Sequence, residues 1–148
     1  MSVVGIGLIV VFAALSGLHF YWGMGGFWPG TDPQSLAERV AGTRGRAAPG
    51  FVACAAVAVA LLAAAGIVFA GQYEIAMGLP ALLVYGGYAT LIAVFGLRGL
   101  APYVTPAFAY ARGTPFHDLN RRYYAPLCLV IAAALVADFP PGVERMFG

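Results

Sequence analysis

The first apolar stretch of the chain carries two polar side chains at helical spacing. His19 follows Ser16 by three residues and precedes Gly23 by four, so the three positions form one stripe of a helix. Histidine changes its charge near neutral pH, and polar groups at membrane depth usually face other helices instead of lipid. His19 is therefore a candidate functional residue, and a purely structural hydrogen bond to a neighbouring helix is the alternative.

The other polar candidates come mostly from the second half of the chain. Asp118 could act with His19 as an acid and base pair near neutral pH if the two groups met. Trp22 and Tyr124 could flank the ring of a bound molecule, and Arg98 borders the same region. The predicted ligand-binding residues are therefore His19, Trp22, Arg98, Asp118 and Tyr124, and we assign no catalytic residue.

Two histidines and two cysteines match a zinc or copper ligand set in number. They are His19, Cys54, His117 and Cys128, and no two of them form a CxxC or HxxxH unit. Four separate segments would have to converge on the ion, so we predict no metal site and interpret the cysteines as free thiols. A haem held by both histidines is disfavoured because His117 lies in an irregular stretch.

These side chains must be positioned by membrane helices. The chain is 61% hydrophobic and only 9% charged, and residues 1–30, 51–73 and 75–97 contain no charged side chain. A bilayer core of about 30 Å requires roughly 20 apolar residues of helix, which each of these stretches supplies. No soluble class of protein fits this composition.

We predict an all-α integral membrane protein, a four-transmembrane-helix bundle with short interfacial segments, forming a single transmembrane domain over residues 1–148. The predicted spans are about 3–22, 51–70, 76–97 and 121–139. Asp32 and Pro33 form a cap and first-turn pair, which predicts a short surface helix through Val40. Prolines and aromatic residues alternate in residues 99–120, which predicts an interfacial anchor or, alternatively, a lid over the mouth of the bundle.

The orientation of the chain in the membrane is predicted from its arginines alone, because it has no lysine. The arginines concentrate in two loops: Arg39, Arg44 and Arg46 in the first, and Arg98, Arg112, Arg121 and Arg122 in or beside the third. The positive-inside rule predicts that these loops are cytoplasmic and that both termini are periplasmic. Most of the polar candidates then lie at the cytoplasmic mouth.

Two groups of residues carry a resemblance to a known family. The first contains His19, Tyr21, Trp22, Gly25, Gly26, Trp28 and Pro29, and the second contains Phe116, Asp118, Tyr124, Pro126, Leu127, Cys128 and Leu129. Over most of its length the chain resembles a family of small four-helix bacterial membrane proteins known only as a domain of unknown function. The resemblance implies four spans and an inner-membrane location, and it implies no activity.

Three hypotheses for the function remain open. The first is binding of a lipid, quinone or isoprenoid-like ligand at the cytoplasmic mouth, and the second is an accessory or assembly subunit of a larger membrane complex. The third is a small lipid-modifying enzyme that uses His19 and Asp118. We expect membrane lipids, a membrane-protein partner or a second copy of the chain as partners. Nucleic acid is not expected, since the net charge is just +2.

Overall fold

The computed structural model describes residues 1–45, 48–73 and 80–141, and the regular elements of these residues are all helical. The predicted all-α class is therefore confirmed. In chain order the elements are α1 (Val3–Gly23), α2 (Pro33–Val40), α3 (Phe51–Gln72), α4 (Ala81–Val104), a 3-10 helix (Pro106–Ala111), α5 (Pro115–Leu119), a π-helical turn (Asn120–Tyr124) and α6 (Ala125–Ala137).

Three of the helices, α1, α3 and α4, are long and apolar enough to cross a membrane. α1 begins where the hydroxyl of Ser2 accepts a hydrogen bond from the backbone N–H of Gly5, and it ends just before Gly25, which has a positive φ of 95°. Glycine adopts this left-handed backbone without the steric cost that a Cβ imposes. The glycines after α1 therefore terminate this helix, within one residue of the end at residue 22 that the sequence predicted.

The third span differs most from its predicted bounds of 76–97. α4 begins at Ala81, directly after Pro80, and continues to Val104. Residues 76–79 of the predicted span lie outside the described residues. The prediction ended the helix too early because it treated the charged Arg98 as the end of the apolar segment.

The prolines of residues 99–120 do not prevent helix formation, although the sequence predicted an irregular interfacial segment there. Pro102 lies in the last turns of α4, where a missing backbone N–H removes a single helical hydrogen bond. The helix ends at Thr105, whose extended backbone is the one favoured before a proline. Pro106 and Pro115 then open the 3-10 helix and α5 at their first positions, where proline is well tolerated.

The last helical segment begins six residues before its predicted start at residue 121. α5, the π-helical turn and α6 follow one another without leaving right-handed helical backbone, from Pro115 to Ala137. A π turn accommodates an additional residue within a helix and changes which side chains face the neighbouring helices. Here it places Asn120 in the protein interior.

The long helices pack in two close pairs. α1 lies along α3, and α4 lies along α6; less extensive contacts of α3 with α4 and of α1 with α6 join the pairs into a bundle. The rings of Phe12 and Phe95 meet in its centre, with 5.5 Å between their centroids. The fully buried side chains of the core include Phe12, Val68, Val84, Tyr88 and Leu135.

Gly99 allows α4 to pack closely against α6. A Cβ at Gly99 would lie 2.7 Å from the side chain of Leu129 on α6. The alanines at four-residue spacing on α3 contribute less to the contacts between helices, because Ala56 and Ala60 are exposed and only Ala64 is buried.

One end of the bundle is joined by a buried carboxylate. Asp138, which is 7% exposed, accepts hydrogen bonds from the hydroxyl of Tyr88 (2.8 Å), from Nε2 of Gln72 (3.1 Å) and from the hydroxyl of Ser2. Ser2 and Gln72 flank the start of α1 and the end of α3, Tyr88 lies on α4, and Asp138 follows α6. This carboxylate cluster therefore connects all four long helical segments.

The opposite end carries α2, whose first turn is capped by a carboxylate. Oδ1 of Asp32 accepts hydrogen bonds from the backbone N–H groups of Gln34 and Ser35, both at 2.9 Å. The hydroxyl of Ser35 accepts the backbone N–H of Asp32 in return, which completes a capping box. The hydrogen bond from the Ser35 backbone, followed by that from the Thr31 side chain, lowers the pKa of Asp32.

The two arginine-bearing loops meet at this end. Nη2 of Arg44 donates a hydrogen bond to the carbonyl of Arg112 (3.1 Å), and the hydroxyl of Tyr110 donates to the carbonyl of Ala41 (3.1 Å). Arg46 lies outside the described residues. The loops therefore share one end of the bundle, and α2 packs against α5 between them.

Candidate ligand-binding cavity

A cavity of about 730 Å³ lies at the end of the bundle that carries α2, away from the carboxylate cluster. Its volume falls within the range of roughly 300–1,000 Å³ that is usual for sites of small organic ligands. All the long helical segments, α2 and the loop after α1 contribute to its wall. Most of the wall is apolar and includes Leu15, Leu18, Leu36, Val57, Phe95, Leu127 and Ile131.

Four of the five predicted ligand-binding residues line this cavity: His19, Trp22, Arg98 and Tyr124. Asp118 does not, because it lies on the outer face of α5 with a side chain that is 91% exposed. Its carboxylate is 3.2 Å from Nδ1 of the adjacent His117. The structure thus brings together residues that are more than 100 positions apart in sequence, such as His19 and Tyr124. Asp118, which was predicted as an acid of this site, lies outside the cavity.

The His19 side chain lines the cavity and is fixed by a hydrogen bond within its own helix. Its Nδ1 lies 2.8 Å from the carbonyl oxygen of Leu15, one turn earlier in α1. A carbonyl oxygen only accepts hydrogen bonds, so Nδ1 is the donor in this contact. The ring also meets that of Trp22 edge to face, with 4.9 Å between the centroids.

Trp22 connects the end of α1 to the loop that follows. Its indole N–H donates a hydrogen bond to the carbonyl of Trp28 at 2.7 Å. Trp28 and the following Pro29 therefore close one side of the cavity. The polar atom of Trp22 is used in the protein, and its ring remains available for apolar contact with a ligand.

The glycines of the first motif have structural roles in the same loop. Gly25 adopts a positive φ of 95°, and Gly26 lies against the ring of Tyr21, where a Cβ would approach the ring carbons to 2.2–2.4 Å. Neither glycine lines the cavity. Gly25 and Gly26 therefore shape the loop that holds Trp28 in place.

Arg98 is the charged residue of the cavity wall. Its Nη2 donates a hydrogen bond of 2.9 Å to the side-chain oxygen of Asn120, and its guanidinium carbon lies 4.6 Å from the centre of the Phe108 ring. Its Nη1 is buried and has no hydrogen-bond partner among the described residues. Arginine is charged at all physiological pH values, so the wall carries a permanent and only partly satisfied positive charge.

Tyr124 presents its ring to the cavity and uses its hydroxyl elsewhere. The hydroxyl donates a hydrogen bond of 3.2 Å to the carbonyl of Arg39 at the end of α2. The ring lies 6.0 Å from that of Phe116. Tyr124 therefore attaches α2 to the last helical segment and closes the cavity on that side.

Both cysteines line the cavity as free thiols. Cys54 is buried, and its thiol donates a long hydrogen bond of 3.4 Å to the carbonyl of Pro49; Cys128 is half-buried. Within residues 1–45, 48–73 and 80–141, no three His, Cys, Asp or Glu side chains are placed to hold one metal ion.

His117 lies apart from His19. It borders a second, small cleft of about 60 Å³ beside the 3-10 helix, whose wall also includes Arg112 and Arg121. The two histidines therefore line different clefts, and their placement does not provide a pair of ligands for one haem.

Asn120, the hydrogen-bond partner of Arg98, is a site residue that the sequence did not indicate. The sequence predicts an irregular segment here, whereas Asn120 lies in a continuous helical segment and is 1% exposed. A helix predicted from Pro115 would have placed this asparagine beside the arginine of another helix, which is a recognisable signal.

Comparison with known proteins gives one result. A family model described as "Protein of unknown function (DUF3995)" matches residues 12–135, which include His19, Trp22, Arg98 and Tyr124. No curated protein and no solved structure matches the chain. The chain therefore belongs to the DUF3995 family of proteins of unknown function.

Proposed function

We propose that this protein binds a lipid, quinone or isoprenoid-like molecule in the cavity beside α2. The observation that carries the proposal is the cavity of about 730 Å³ whose apolar wall contains His19, Trp22, Arg98 and Tyr124. Ligand sites commonly combine such an apolar enclosure with a small number of polar groups that orient the molecule.

We further propose a setting in the bacterial inner membrane. The continuous helical run from Pro115 to Ala137 would form a fourth span beside α1, α3 and α4, with both termini periplasmic. The contact between the two arginine-bearing loops supports a common, cytoplasmic side for them. The cavity then lies at the cytoplasmic mouth of the bundle.

Access to the cavity fits an apolar ligand that arrives through the bilayer. Several wall residues keep a large exposed surface: Val57 is 43% and Leu127 40% exposed, and Trp28 is 65% exposed. An apolar molecule in the surrounding lipid could enter between such side chains without crossing water.

The test compares two valine variants of α3. Val57→Trp places an indole in the cavity wall, whereas Val59→Trp places the same group at a position that is 65% exposed and outside the cavity. Native mass spectrometry of the protein released from nanodiscs measures the bound mass. We expect a discrete added mass on the wild type and on Val59→Trp, and its loss from Val57→Trp.

A bare wild-type chain, or one that carries only bulk phospholipid, would contradict ligand binding. That result would favour the second candidate function, an accessory or assembly subunit of a membrane complex. The exposed alanines Ala56 and Ala60 on α3 support this candidate, because small residues on a helix face permit close packing of another helix in lipid.

The lipid-modifying enzyme receives less support. His19 and Asp118 would have to share a hydrogen bond, but Nδ1 of His19 is bound to Leu15 and the carboxylate of Asp118 is exposed beside His117. An acid and base pair must lie within hydrogen-bond reach of the same reacting group.

A further inference from the structure

Arg98 is a cation that has no anionic partner among the described residues. The ion pair of the described residues joins His117 to Asp118, away from the cavity, and no acidic side chain contributes to the described cavity wall. The polar contacts of Arg98 are one hydrogen bond to the Asn120 amide and the face of the Phe108 ring. Both are neutral groups, so they satisfy donors without neutralising the charge.

An uncompensated charge inside a helical bundle is unfavourable. Partial burial removes some of the hydration of the guanidinium, and a buried Nη1 without a partner among the described residues adds the cost of an unsatisfied donor. Charged residues at such positions usually pair with one another or mark the path of a substrate or ion. The residue that would complete the Arg98 site is absent from the described protein, which points to an anion supplied by the ligand.

The shape of the cavity limits the rest of the ligand. Its volume of about 730 Å³ is that of a site for one drug-sized molecule. A lipid with two long acyl chains is considerably larger, whereas one apolar chain fits along the leucines of α1 and α6. The wall around Arg98 is apolar, so the anionic group would be at one end of the molecule and the chain would occupy the remainder.

We propose, building on the ligand-binding function above, that the cavity selects a single-chain amphiphile whose carboxylate or phosphate head group pairs with Arg98. The planar guanidinium can form a charge-assisted hydrogen bond with such a head group while Nη2 remains bonded to Asn120. His19 lines the same cavity, so its ring could form a second hydrogen bond with either head group.

The experiment uses two pairs of ligands that differ in the head group. Palmitate is compared with hexadecanol, and farnesyl phosphate with farnesol, by binding to the full chain in nanodiscs of zwitterionic lipid. For the wild type we expect one anionic ligand to bind at least about tenfold more tightly than its alcohol, as a charge-assisted hydrogen bond would provide. A preference for palmitate over hexadecanol would identify the head group as a carboxylate, and a preference for farnesyl phosphate over farnesol would identify it as a phosphate.

Three variants assign the preference to Arg98. Arg98→Gln removes the charge and keeps a polar side chain near Asn120, so we expect the tenfold preference to disappear while the alcohol still binds. Retained binding of the alcohol also shows that the cavity is folded. Arg98→Lys should restore part of the preference, because the charge returns without the planar fork. Arg122→Gln, at an exposed arginine outside the cavity, should leave the preference unchanged.

Two results would overturn the role of Arg98: equal binding of the anion and the alcohol in both pairs, or a preference for the anion that survives in Arg98→Gln. Neither result would contradict the ligand-binding function. Binding of none of the four molecules to the wild type, together with a bare chain in native mass spectrometry, would overturn the ligand-binding function and this inference with it.

Discussion

At one end of the bundle a buried carboxylate, Asp138, receives hydrogen bonds from Tyr88, Gln72 and Ser2; at the other end a partly buried guanidinium, Arg98, has no anionic partner among the described residues. Both ends place a charged side chain between helices. The carboxylate is satisfied by groups of the protein itself, whereas the guanidinium, which lines a large cavity, has a buried donor without a partner among the described residues. Hydrogen bonds thus offset the cost of a buried charge at one end, and the proposed ligand would do so at the other.

The difference extends to the packing around each charge. Core side chains such as Phe12, Val68 and Leu135 fill the space between the carboxylate cluster and the middle of the bundle. Beyond the contact of Phe12 with Phe95, the helices enclose a cavity that aromatic side chains and α2 close from outside. We therefore expect mutations at the carboxylate end to affect stability, and mutations at the cavity end to affect binding.

Removal of the Asp138 carboxylate should have the largest effect on stability. Asp138→Leu leaves the donors of Tyr88, Gln72 and Ser2 without their acceptor, and we expect a loss of about 3 kcal/mol in the free energy of unfolding. Unfolding of the purified protein in mixed detergent micelles measures this value. Asp118→Asn, at a side chain that is 91% exposed, is the control and should be neutral.

A loss as small for Asp138→Leu as for Asp118→Asn would show that the carboxylate cluster does not hold the helices together. The hydrogen bonds to Asp138 would then not explain the stability of that end of the bundle. Asp138→Asn, which keeps the shape and one acceptor oxygen, should give an intermediate loss.

Enlargement of Gly99 should have the next largest effect. A Cβ at this position would lie 2.7 Å from the side chain of Leu129 and 3.0 Å from the carbonyl of Ala125, so Gly99→Ala should separate α4 from α6 and cost about 1–3 kcal/mol. Gly96→Ala, one turn earlier on α4, is the matched control because its Cβ would meet nothing within 4 Å. The same unfolding measurement applies, and equal values for the two variants would contradict the close contact of α4 with α6.

The smallest effect concerns α2 and pH. Hydrogen bonds from Ser35 and Thr31 lower the pKa of Asp32 in the folded protein below its unfolded value. The contribution of Asp32 to α2 is therefore fully present above the ordinary carboxyl pKa of about 3.9, and it is lost as the pH falls through the lowered pKa. Amide hydrogen exchange of the α2 backbone, compared at matched intrinsic exchange rates, should show opening of the helix only in this acidic range.

Asp32→Asn is the control for the pH effect, because asparagine caps a helix nearly as well and does not titrate in this range. Opening of α2 at the same pH in this variant would show that another group is responsible. Since α2 forms part of the cavity wall, acid should also weaken ligand binding in the wild type more than in the variant.

The elements of the protein were largely predictable from sequence. Uninterrupted apolar stretches predicted the helices α1, α3 and α4, and Asp32 with Pro33 predicted α2. Prolines were misleading after residue 98, because their effect depends on where in a helix they lie: Pro102 is tolerated within the last turns of α4, and Pro106 and Pro115 begin helices.

The candidate site was predictable in part. His19 and Trp22 stood out as polar or aromatic residues at the end of an apolar helix, and both line the cavity. Asp118 lies outside the cavity and Asn120 in the interior because both belong to a continuous helical segment that the sequence did not predict. Two residues along a helix correspond to a rotation of about 200°, so when Asn120 faces the interior Asp118 faces outward.

The sequence by itself determined that this chain forms apolar helices of membrane length, because an unbroken run of apolar residues is both necessary and recognisable for such a helix. Which face of each helix turns inward was decided only by the tertiary structure. α3 is apolar on all sides, and α1 is so except for Ser16 and His19, so the two helices carry little periodic signal of their buried face. Contacts between helices set the rotation of each helix about its axis. That rotation brings the partners of Asp138 together in the carboxylate cluster and leaves a donor of Arg98 without a partner among the described residues.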